Sequence, residues 1–565
     1  MPTEPPNGGG ITERTTPDRA PASNPGASSQ GQPALRKVPP HAWLGGLGIC
    51  LLFLALRWNN YDLPLVRDEG EYAYAARLLR HGLAPYDHAF LQKPPMIVYT
   101  YLLADLLALP WFPRALAALS VAASTVLLGF IARLEFGPGF AWPAMWLFTP
   151  LVLLPAVQQF TANIEMFMLL PLLALVALCV RRSRHRVGPA SWMLAGALAA
   201  VALWYKYTAL PIIVTVFAGW TIREWQTGTK ASLLSKRWLA AALGACLASA
   251  AALAFFLAHD GARRLWECTI SFNRFYTASS TFGWSSLWFC VKLFFHDWWI
   301  LFVLPGTLLV PPLYRISFCA ALFLAAWLST GASIYGHYYI LVTPFWAVLN
   351  AAAIHRLASL LSVRLNRKSP PASARSRLCS ETTLRPALTA AVLLLICLPD
   401  LPWVARTKQQ FATARLGPEH PLLEATALAG RIAALTSPQD PVFVAGSEPQ
   451  ILYYAQRFSP TRFVITYPLM IPSPLAEIYQ QEATRELQQH LPSVVVLVRV
   501  NSSWLIQPGS PPQFLEFLQQ LLAQNYQPVG AYFFDDDTAR WREPVTQADL
   551  AKAGVVLFKR KPAEG

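Results

Sequence analysis

Apolar runs close to the length of a membrane-spanning helix recur along most of this sequence. A helix needs about 20 predominantly apolar residues to cross the hydrocarbon core of a bilayer. Only 14% of the 565 residues are charged, whereas soluble domains carry about 25%. The pattern therefore predicts a polytopic α-helical membrane protein. The twelve runs are 42–58, 96–112, 115–131, 141–157, 166–180, 192–204, 209–220, 239–258, 287–309, 317–328, 338–353 and 388–403.

The formal net charge of +15 does not indicate a nucleic-acid partner, because of where the basic residues lie. Much of the Lys and Arg is in short loops between the apolar runs, at residues 181–186, 223–237 and 356–377. Short cytoplasmic loops of membrane proteins carry such an excess. The positions of the basic residues therefore predict how the chain is oriented in a lipid bilayer. Arg36 and Lys37 predict a cytoplasmic amino terminus.

Run 96–112 decides how many segments cross the membrane. If all twelve runs cross, the three basic loops fall outside, against the positive-inside rule. If run 96–112 lies at the interface, all three fall inside and eleven spans remain. This run contains Asp105, which is costly at the bilayer centre. We therefore predict about eleven transmembrane helices and two interfacial helices, near residues 69–81 and 96–109.

This topology divides the chain into three segments. Residues 1–40 are rich in Pro, Gly, Ser and Thr, which predicts a disordered cytoplasmic tail. Residues 41–403 are predicted to form the membrane domain, with a periplasmic loop at 59–113. Residues 404–565 are predicted to form a periplasmic domain.

The periplasmic domain is predicted to be α/β, because helical stretches alternate with short apolar runs. We expect a largely parallel sheet and a non-catalytic role, since no phosphate-loop or dinucleotide pattern is present. The predicted helices are 422–435, 449–456, 474–489 and 512–524. The predicted strands are 442–444, 463–465, 494–498, 531–534 and 554–558.

The loop after the first apolar run clusters carboxylates, tyrosines and a lysine. It reads Asp68-Glu69-Gly70-Glu71-Tyr72-Ala73-Tyr74, then Tyr86-Asp87, then Lys93-Pro94-Pro95. A carboxylate and a basic group in one loop suit proton transfer. A reading without chemistry is also open, in which Asp68 and Glu71 form a capping box and the two prolines mark a break before a helix.

The loop resembles the first periplasmic loop of GT-C glycosyltransferases. The pattern Asp-Glu-Gly-x-Tyr-Ala-Tyr-x-Ala-Arg, with the later Pro-Tyr and Lys-Pro-Pro, is similar to bacterial members of the protein O-mannosyltransferase and lipid A aminoarabinose transferase group. The resemblance extends over roughly residues 42–355. It implies an inner-membrane enzyme that moves a sugar, with inversion, from a polyprenyl-phosphate carrier to a periplasmic glycan, lipid or protein.

The resemblance also implies the roles of three acids. Asp68 is expected to act as the base, with Glu69 as its neighbour. Glu165 is expected to be a further catalytic acid, because the family often has an acid where this span begins. A carboxylate in the first turn of a helix is also favourable without any chemistry, so this alternative stays open for Glu165.

Four residues are expected to bind the phosphate or the donor. Lys93 is the first candidate by its place in the family pattern. Arg114, His337 and Tyr339 lie at outer ends of predicted spans, where relatives carry similar residues. Snorkelling towards the interface is an alternative for Arg114, and it is the favoured role for Lys206.

No cofactor is predicted, and we expect no metal. Residues 535–537 are three adjacent acids, which more often form a solvated turn than a cation site. Two other functions remain open. One is a glycan polymerase or ligase that uses a lipid diphosphate, and the other is a non-enzymatic transporter of lipid carriers, although the internal repeats typical of transporters are not seen.

Overall fold

The structure is a computed structural model that describes residues 40–57, 62–157, 161–182, 188–278, 283–309, 317–366, 379–417, 419–535 and 538–562. The described residues from Leu47 onward form one compact unit. The predicted tail, residues 1–40, lies outside the described residues apart from Pro40, which begins the first helix.

Helices follow the predicted apolar runs. Every one of the twelve runs falls mainly on helix, which confirms the polytopic helical architecture. The helices as far as residue 405 are α1 (Pro40–Arg57), α2 (Arg67–Arg80), α3 (Pro85–His88), α4 (Met96–Leu106), α5 (Phe112–Phe136), α6 (Ala141–Leu153), α7 (Ile164–Arg182), α8 (Pro189–Tyr205), α9 (Leu210–Gln226), α10 (Ala231–Ala258), α11 (Ala262–Trp266), α12 (Phe272–Tyr276), α13 (Trp284–Val303), α14 (Ser317–Ser329), α15 (Thr343–Asn366), α16 (Glu381–Cys397) and α17 (Leu401–Ala405).

Six segments in the described part of the chain are long and apolar enough to cross a membrane. They are built on α5, α7, α10, α13, α15 and α16. The other five predicted spans correspond to shorter helices, so length alone does not assign them. Helix α4 has 11 residues and is about 17 Å long at 1.5 Å per residue. It is too short for a hydrocarbon core of about 30 Å, in agreement with its predicted interfacial position.

Helix α2 is the first interfacial helix that the sequence predicts, and it begins two residues earlier than expected. The face carrying Tyr72, Ala75 and Ala76 is buried, as its spacing predicts. A Cβ atom on Gly70 would lie 2.5 Å from the backbone nitrogen of Gln450. Glycine in a helix interior costs about 1 kcal/mol, and here it allows the carboxy-terminal segment to approach α2 closely.

The carboxy-terminal segment after residue 405 contains eight helices and five strands among the described residues. The helices are α18 (Lys408–Leu416), α19 (Glu424–Leu435), α20 (Pro449–Ala455), α21 (Tyr467–Met470), α22 (Pro474–Gln489), α23 (Asn501–Trp504), α24 (Gln513–Asn525) and α25 (Gln547–Leu550). The strands are β1 (Val442–Ala445), β2 (Val494–Val498), β3 (Tyr526–Asp535), β4 (Thr538–Arg542) and β5 (Val555–Arg560). The α/β class is therefore confirmed.

The prediction of a largely parallel sheet is wrong. The strand order is β1-β2-β5-β3-β4. Only β1 and β2 pair in parallel, and the other three pairings are antiparallel. A parallel connection needs a crossover of a dozen or more residues. Strands β3 and β4 are separated by too few residues for one, so they form a hairpin.

Residues 463–465 form no strand, in contrast to the prediction. The backbone N–H of Phe90 donates to the Arg462 carbonyl at 2.6 Å. The rings of Phe90 and Phe463 stack with their centroids 5.7 Å apart. This apolar segment therefore packs against the loop between α3 and α4 instead of joining the sheet.

Candidate active site

A cavity of about 280 Å³ lies where three parts of the chain meet. The loop around α2 provides Arg67, Asp68 and Lys93. Segments next to the spans provide Asn163, His337 and Tyr338, and the carboxy-terminal segment provides Arg415, His420, Tyr467 and Ser502. Three residues singled out from the sequence, Asp68, Lys93 and His337, thus line one cavity.

The first turn of α2 directs Asp68 and Glu69 to different sides. The alternative reading in which Asp68 and Glu71 form a capping box is wrong, because the helix begins at Arg67. The Glu69 carboxylate instead accepts the backbone N–H of Val66 at 3.0 Å. Asp68, which is half-buried, therefore does not serve as the cap and lines the cavity.

Glu69 and Arg114 form a buried ion pair. Arg114 donates from Nε to Glu69 Oε1 at 3.0 Å and from Nη2 to Oε2 at 2.6 Å. It also donates to the Pro64 carbonyl at 2.8 Å, and Glu69 Oε1 accepts the Ala162 N–H at 2.7 Å. The bidentate pair fixes the start of α2. We therefore revise the expected phosphate-binding role of Arg114, which is 1% exposed and does not line the cavity.

Lys93 lies outside the helices, as the two following prolines predict. The Tyr86 hydroxyl donates to the Lys93 carbonyl at 2.8 Å, so the Pro-Tyr part of the motif holds this backbone. Burial lowers the pKa of Lys93, but Tyr338, Asp68 and the nearby glutamates outweigh it and raise the pKa above its usual range. The ammonium therefore stays charged at the cavity wall.

Glu165 does not line the cavity and is paired. Its Oε1 accepts from Lys206 Nζ at 2.5 Å, and both side chains are buried. The Lys206 ammonium lies 3.1 Å from the centroid of the Tyr338 ring. Lys206 therefore does not snorkel, and the pair supports the ring that faces the cavity.

His337 and Tyr338 line the cavity, but Tyr339 does not. The Tyr339 hydroxyl donates to the Ser333 carbonyl at 2.9 Å, and its ring packs on Phe294. The three residues are in a 3₁₀ turn, in which successive side chains point about 120° apart. Tyr338, and not Tyr339, is therefore the tyrosine of this turn that lines the cavity. Burial lowers the pKa of His337 to about 4, so its imidazole is neutral.

Glu71 is a buried acid beside this site that the sequence assigned only to a helix cap. It is 1% exposed, and its Oε1 has no hydrogen-bond partner among the described residues. Burial raises the pKa of Glu71 to about 8, against the opposing charge of Lys93. Glu71 follows Asp68 by three residues, which puts both side chains on one side of α2. This spacing was the sequence signal that Glu71 lies beside the site.

Replacing Glu71 by Gln should stabilise the protein more at pH 8 than at pH 5. The unfolded carboxyl ionises near pH 4.3, whereas the folded one keeps its proton to about pH 8. The unfolded state binds fewer protons in this window, so the free energy of unfolding of the wild type falls as pH rises. We expect the melting temperature of Glu71→Gln in detergent to exceed that of the wild type by roughly 3 °C or more at pH 8. The prediction would be contradicted if the melting temperatures of variant and wild type differed equally at both pH values. It would also be contradicted if Glu477→Gln, at a surface residue, changed the melting temperature in the same way.

The carboxy-terminal wall of the cavity, formed by Arg415, His420, Tyr467 and Ser502, is the part of the site that sequence reasoning missed. Arg67 Nη2 donates to Glu448 Oε1 at 2.6 Å, which ties α2 to the segment before α20. The Tyr467 hydroxyl accepts from Gln92 Nε2 at 2.7 Å, beside Lys93. The carboxy-terminal segment was expected to have no part in the site, but its residues form one side of the cavity.

Comparison with known proteins identifies the fold. No protein-family model and no curated protein matches the sequence. The chain is similar to the crystal structure of ArnT from Cupriavidus metallidurans bound to undecaprenyl phosphate, with 16% identity and a TM-score of 0.57, over 93% of this chain and 99% of that chain. It is also similar to the apo crystal structure of that protein, with 15% identity and a TM-score of 0.53, over 92% and 98% of the two chains. ArnT is a GT-C fold glycosyltransferase. The chain therefore has the GT-C fold.

Proposed function

We propose that this protein is a membrane glycosyltransferase that moves a sugar from a polyprenyl-phosphate carrier to a periplasmic acceptor, with inversion. The observation that carries the proposal is the single cavity shared by Asp68, Lys93 and His337. It combines a carboxylate with a charged ammonium and a neutral imidazole. A base beside a phosphate-binding cation is what such a transfer requires.

Asp68 acts as the general base in this proposal. Its carboxylate takes the proton of an acceptor hydroxyl, and the oxygen attacks the anomeric carbon of the sugar. The bond from that carbon to the phosphate oxygen breaks, and the electron pair leaves with the phosphate. A single displacement from the opposite face inverts the anomeric centre.

Lys93 stabilises the phosphate as it leaves. Negative charge grows on the departing oxygen, and the ammonium favours this transition state over the ground state. His337 is neutral, and it can donate a hydrogen bond to the phosphate without a second positive charge. The Glu69–Arg114 pair contacts neither reactant but holds Asp68 in place through α2.

An apolar groove of about 790 Å³ supports the proposal of a lipid carrier. It is lined by α8, α9 and α10, mostly with Ala, Leu, Ile, Val and Phe side chains. One end is at Trp204 and Tyr207, on either side of Lys206 in the sequence. A polyprenyl chain in this groove would bring its phosphate towards Lys93 and His337. The structural relative that holds undecaprenyl phosphate supports the same carrier class.

Two measurements test this function together. Purified protein in detergent should bind undecaprenyl phosphate, and Lys93→Ala should weaken the binding. A strain lacking the gene should accumulate a sugar-loaded polyprenyl phosphate and lose one envelope species by mass spectrometry. An unchanged envelope with carriers accumulating on the cytoplasmic face alone would indicate a transporter, and accumulation of a lipid diphosphate would indicate the polymerase or ligase.

We also propose an inner-membrane location, with residues 404–565 and the loop at 59–113 in the periplasm. In a variant without the eight native cysteines, Ala551→Cys should react with a membrane-impermeant thiol reagent in intact spheroplasts. Ser183→Cys and Ser373→Cys, in basic loops outside the described residues, should react only after lysis. Ala551 is exposed, so access to the reagent is decided by the membrane. Labelling of Ser183→Cys in intact spheroplasts would reverse the proposed orientation.

A further inference from the structure

We propose that His420 and the carboxy-terminal wall form the acceptor subsite, and that this subsite binds a hydroxyl group of a sugar residue in the acceptor. The inference rests on the proposed function. It assigns His420 as a positioning residue for the acceptor, on the side of the cavity formed by the carboxy-terminal segment.

His420 is a buried histidine at the wall of the cavity. It lines the cavity, although its side chain is only 5% exposed. Its Nε2 lies 3.8 Å from Glu448 Oε2. Its Nδ1 has no hydrogen-bond partner among the described residues. A buried polar atom without a partner costs about 1–3 kcal/mol, and an acceptor hydroxyl at this wall would remove that cost.

Glu448 lies between His420 and the helix that carries Asp68. Its carboxylate accepts from Arg67 Nη2 at 2.6 Å, from Ser503 Oγ at 2.7 Å and from Gln450 Nε2 at 2.7 Å. Arg67 directly precedes Asp68 in α2. One buried carboxylate thus binds the start of the helix that carries the base and lies 3.8 Å from the imidazole, so His420 is close to the beginning of α2.

The charge balance of this wall favours a neutral acceptor group. Burial lowers the pKa of His420 more than Glu448 raises it, so the imidazole is neutral. The charge of Arg67 is matched by Glu448 at 2.6 Å. The Arg415 guanidinium is stacked 4.0 Å from the centroid of the Trp403 ring. A neutral imidazole accepts a hydrogen bond from a hydroxyl, whereas a phosphate is held by charged donors.

The aromatic lining of the cavity fits a sugar ring. Tyr276, Tyr335 and Tyr467 also line the cavity. A tyrosine offers an apolar ring face and a polar hydroxyl, which match the C–H face and the hydroxyl edge of a sugar. An extended aliphatic group would match only the first of these features. We therefore identify the acceptor group as a sugar residue of a glycan or glycolipid.

The test compares four purified variants in two assays. The variants are His420→Leu, His420→Asn, Lys93→Ala and the exposed control His490→Asn. The first assay measures binding of undecaprenyl phosphate. The second mixes each variant with membranes from the deletion strain, which supply the accumulated donor and the unmodified acceptor, and follows transfer by mass spectrometry at increasing amounts of membrane.

His420→Leu should bind undecaprenyl phosphate like the wild type but transfer about 100-fold more slowly, the cost of a misplaced reactant. His420→Asn should recover part of the rate, because its amide can reach the position of Nδ1, and His490→Asn should behave as the wild type. Lys93→Ala should lose binding in the first assay. These outcomes would separate a role in transfer from a role in binding the carrier phosphate and from a packing role.

Four outcomes would overturn the inference. Wild-type transfer by His420→Leu would remove the role of His420. Loss of undecaprenyl phosphate binding in that variant would move His420 to the donor side. Equal rates for the Asn and Leu variants would indicate packing alone, and a polypeptide as the modified species would exclude a sugar acceptor. A wild-type protein that neither binds the carrier nor changes the envelope would instead refute the proposed function itself.

Discussion

Asp68→Asn should abolish transfer while the protein still folds. General base catalysis contributes about 10²–10⁴ in rate. The amide of Asn cannot take the proton from the hydroxyl group of the acceptor. The change is nearly isosteric at a residue that lines the cavity. The Glu69–Arg114 pair, which holds the first turn of α2, is untouched. The measurement is the initial rate of transfer by purified protein from sugar-loaded polyprenyl phosphate in deletion-strain membranes.

Two controls separate loss of the base from loss of structure. Binding of undecaprenyl phosphate to Asp68→Asn should match or exceed that of the wild type, because a negative charge near the phosphate has been removed. Asp260→Asn is the matched substitution. Asp260 is exposed and has φ of +53°, a conformation that Asn tolerates, so its rate should be unchanged. A fully active Asp68→Asn protein would show that Asp68 is not the base. Its carboxylate would then have only the favourable interaction of an acid with the first turn of a helix.

The membrane helices and the loop around α2 are predictable because their signals are local. Long apolar runs specify helices directly, and an extended residue before proline follows from sterics alone. Lys93 was predicted outside a helix on that ground, and the structure agrees. The prediction that α4 is interfacial follows from charge parity across the whole chain, which is also a property of sequence alone.

The carboxy-terminal wall could not be predicted because it depends on contacts between distant residues. Arg67 and Glu448 are separated by 381 positions, and no periodicity encodes such a pair. One signal was available in Gly70. A glycine within a helical pattern is unfavourable, so it indicates a close approach by another segment, which here is Gln450.

Three finer predictions needed revision for geometric reasons. The start of α2 moved by two residues, which exchanged Glu71 for Glu69 as the capping acid. In the 3₁₀ turn at Gly336–Leu341, Tyr338 lines the cavity instead of Tyr339, which the sequence predicts. The sheet is mostly antiparallel because β5 pairs antiparallel with both β2 and β3, and the unpredicted strand β4 adds a third antiparallel pair. In the first two cases a displacement of one or two residues redirects a side chain.

Lys93→Ala should lower turnover by about 10²–10³, the usual cost of removing one donor to a developing negative charge. The Lys93 backbone is held by Tyr86 and α4 begins after it, so truncation of the side chain should leave the loop in place. Lys93→Arg should keep part of the activity, because the charge persists in a different shape. Lys552→Ala, at an exposed lysine, is the matched control and should transfer at the wild-type rate.

Lys206→Ala tests whether the two lysines near the cavity have different roles. Lys206 is paired with Glu165 at 2.5 Å, and removing one partner of a buried pair typically costs about 3–5 kcal/mol of stability. We therefore expect Lys206→Ala to lower the melting temperature with a smaller loss of turnover in the folded fraction. Lys93→Ala should instead lower turnover and carrier binding with little change in melting temperature. Near-wild-type turnover in Lys93→Ala, or an equal loss of turnover in folded Lys206→Ala, would mean that the phosphate binds elsewhere than at Lys93.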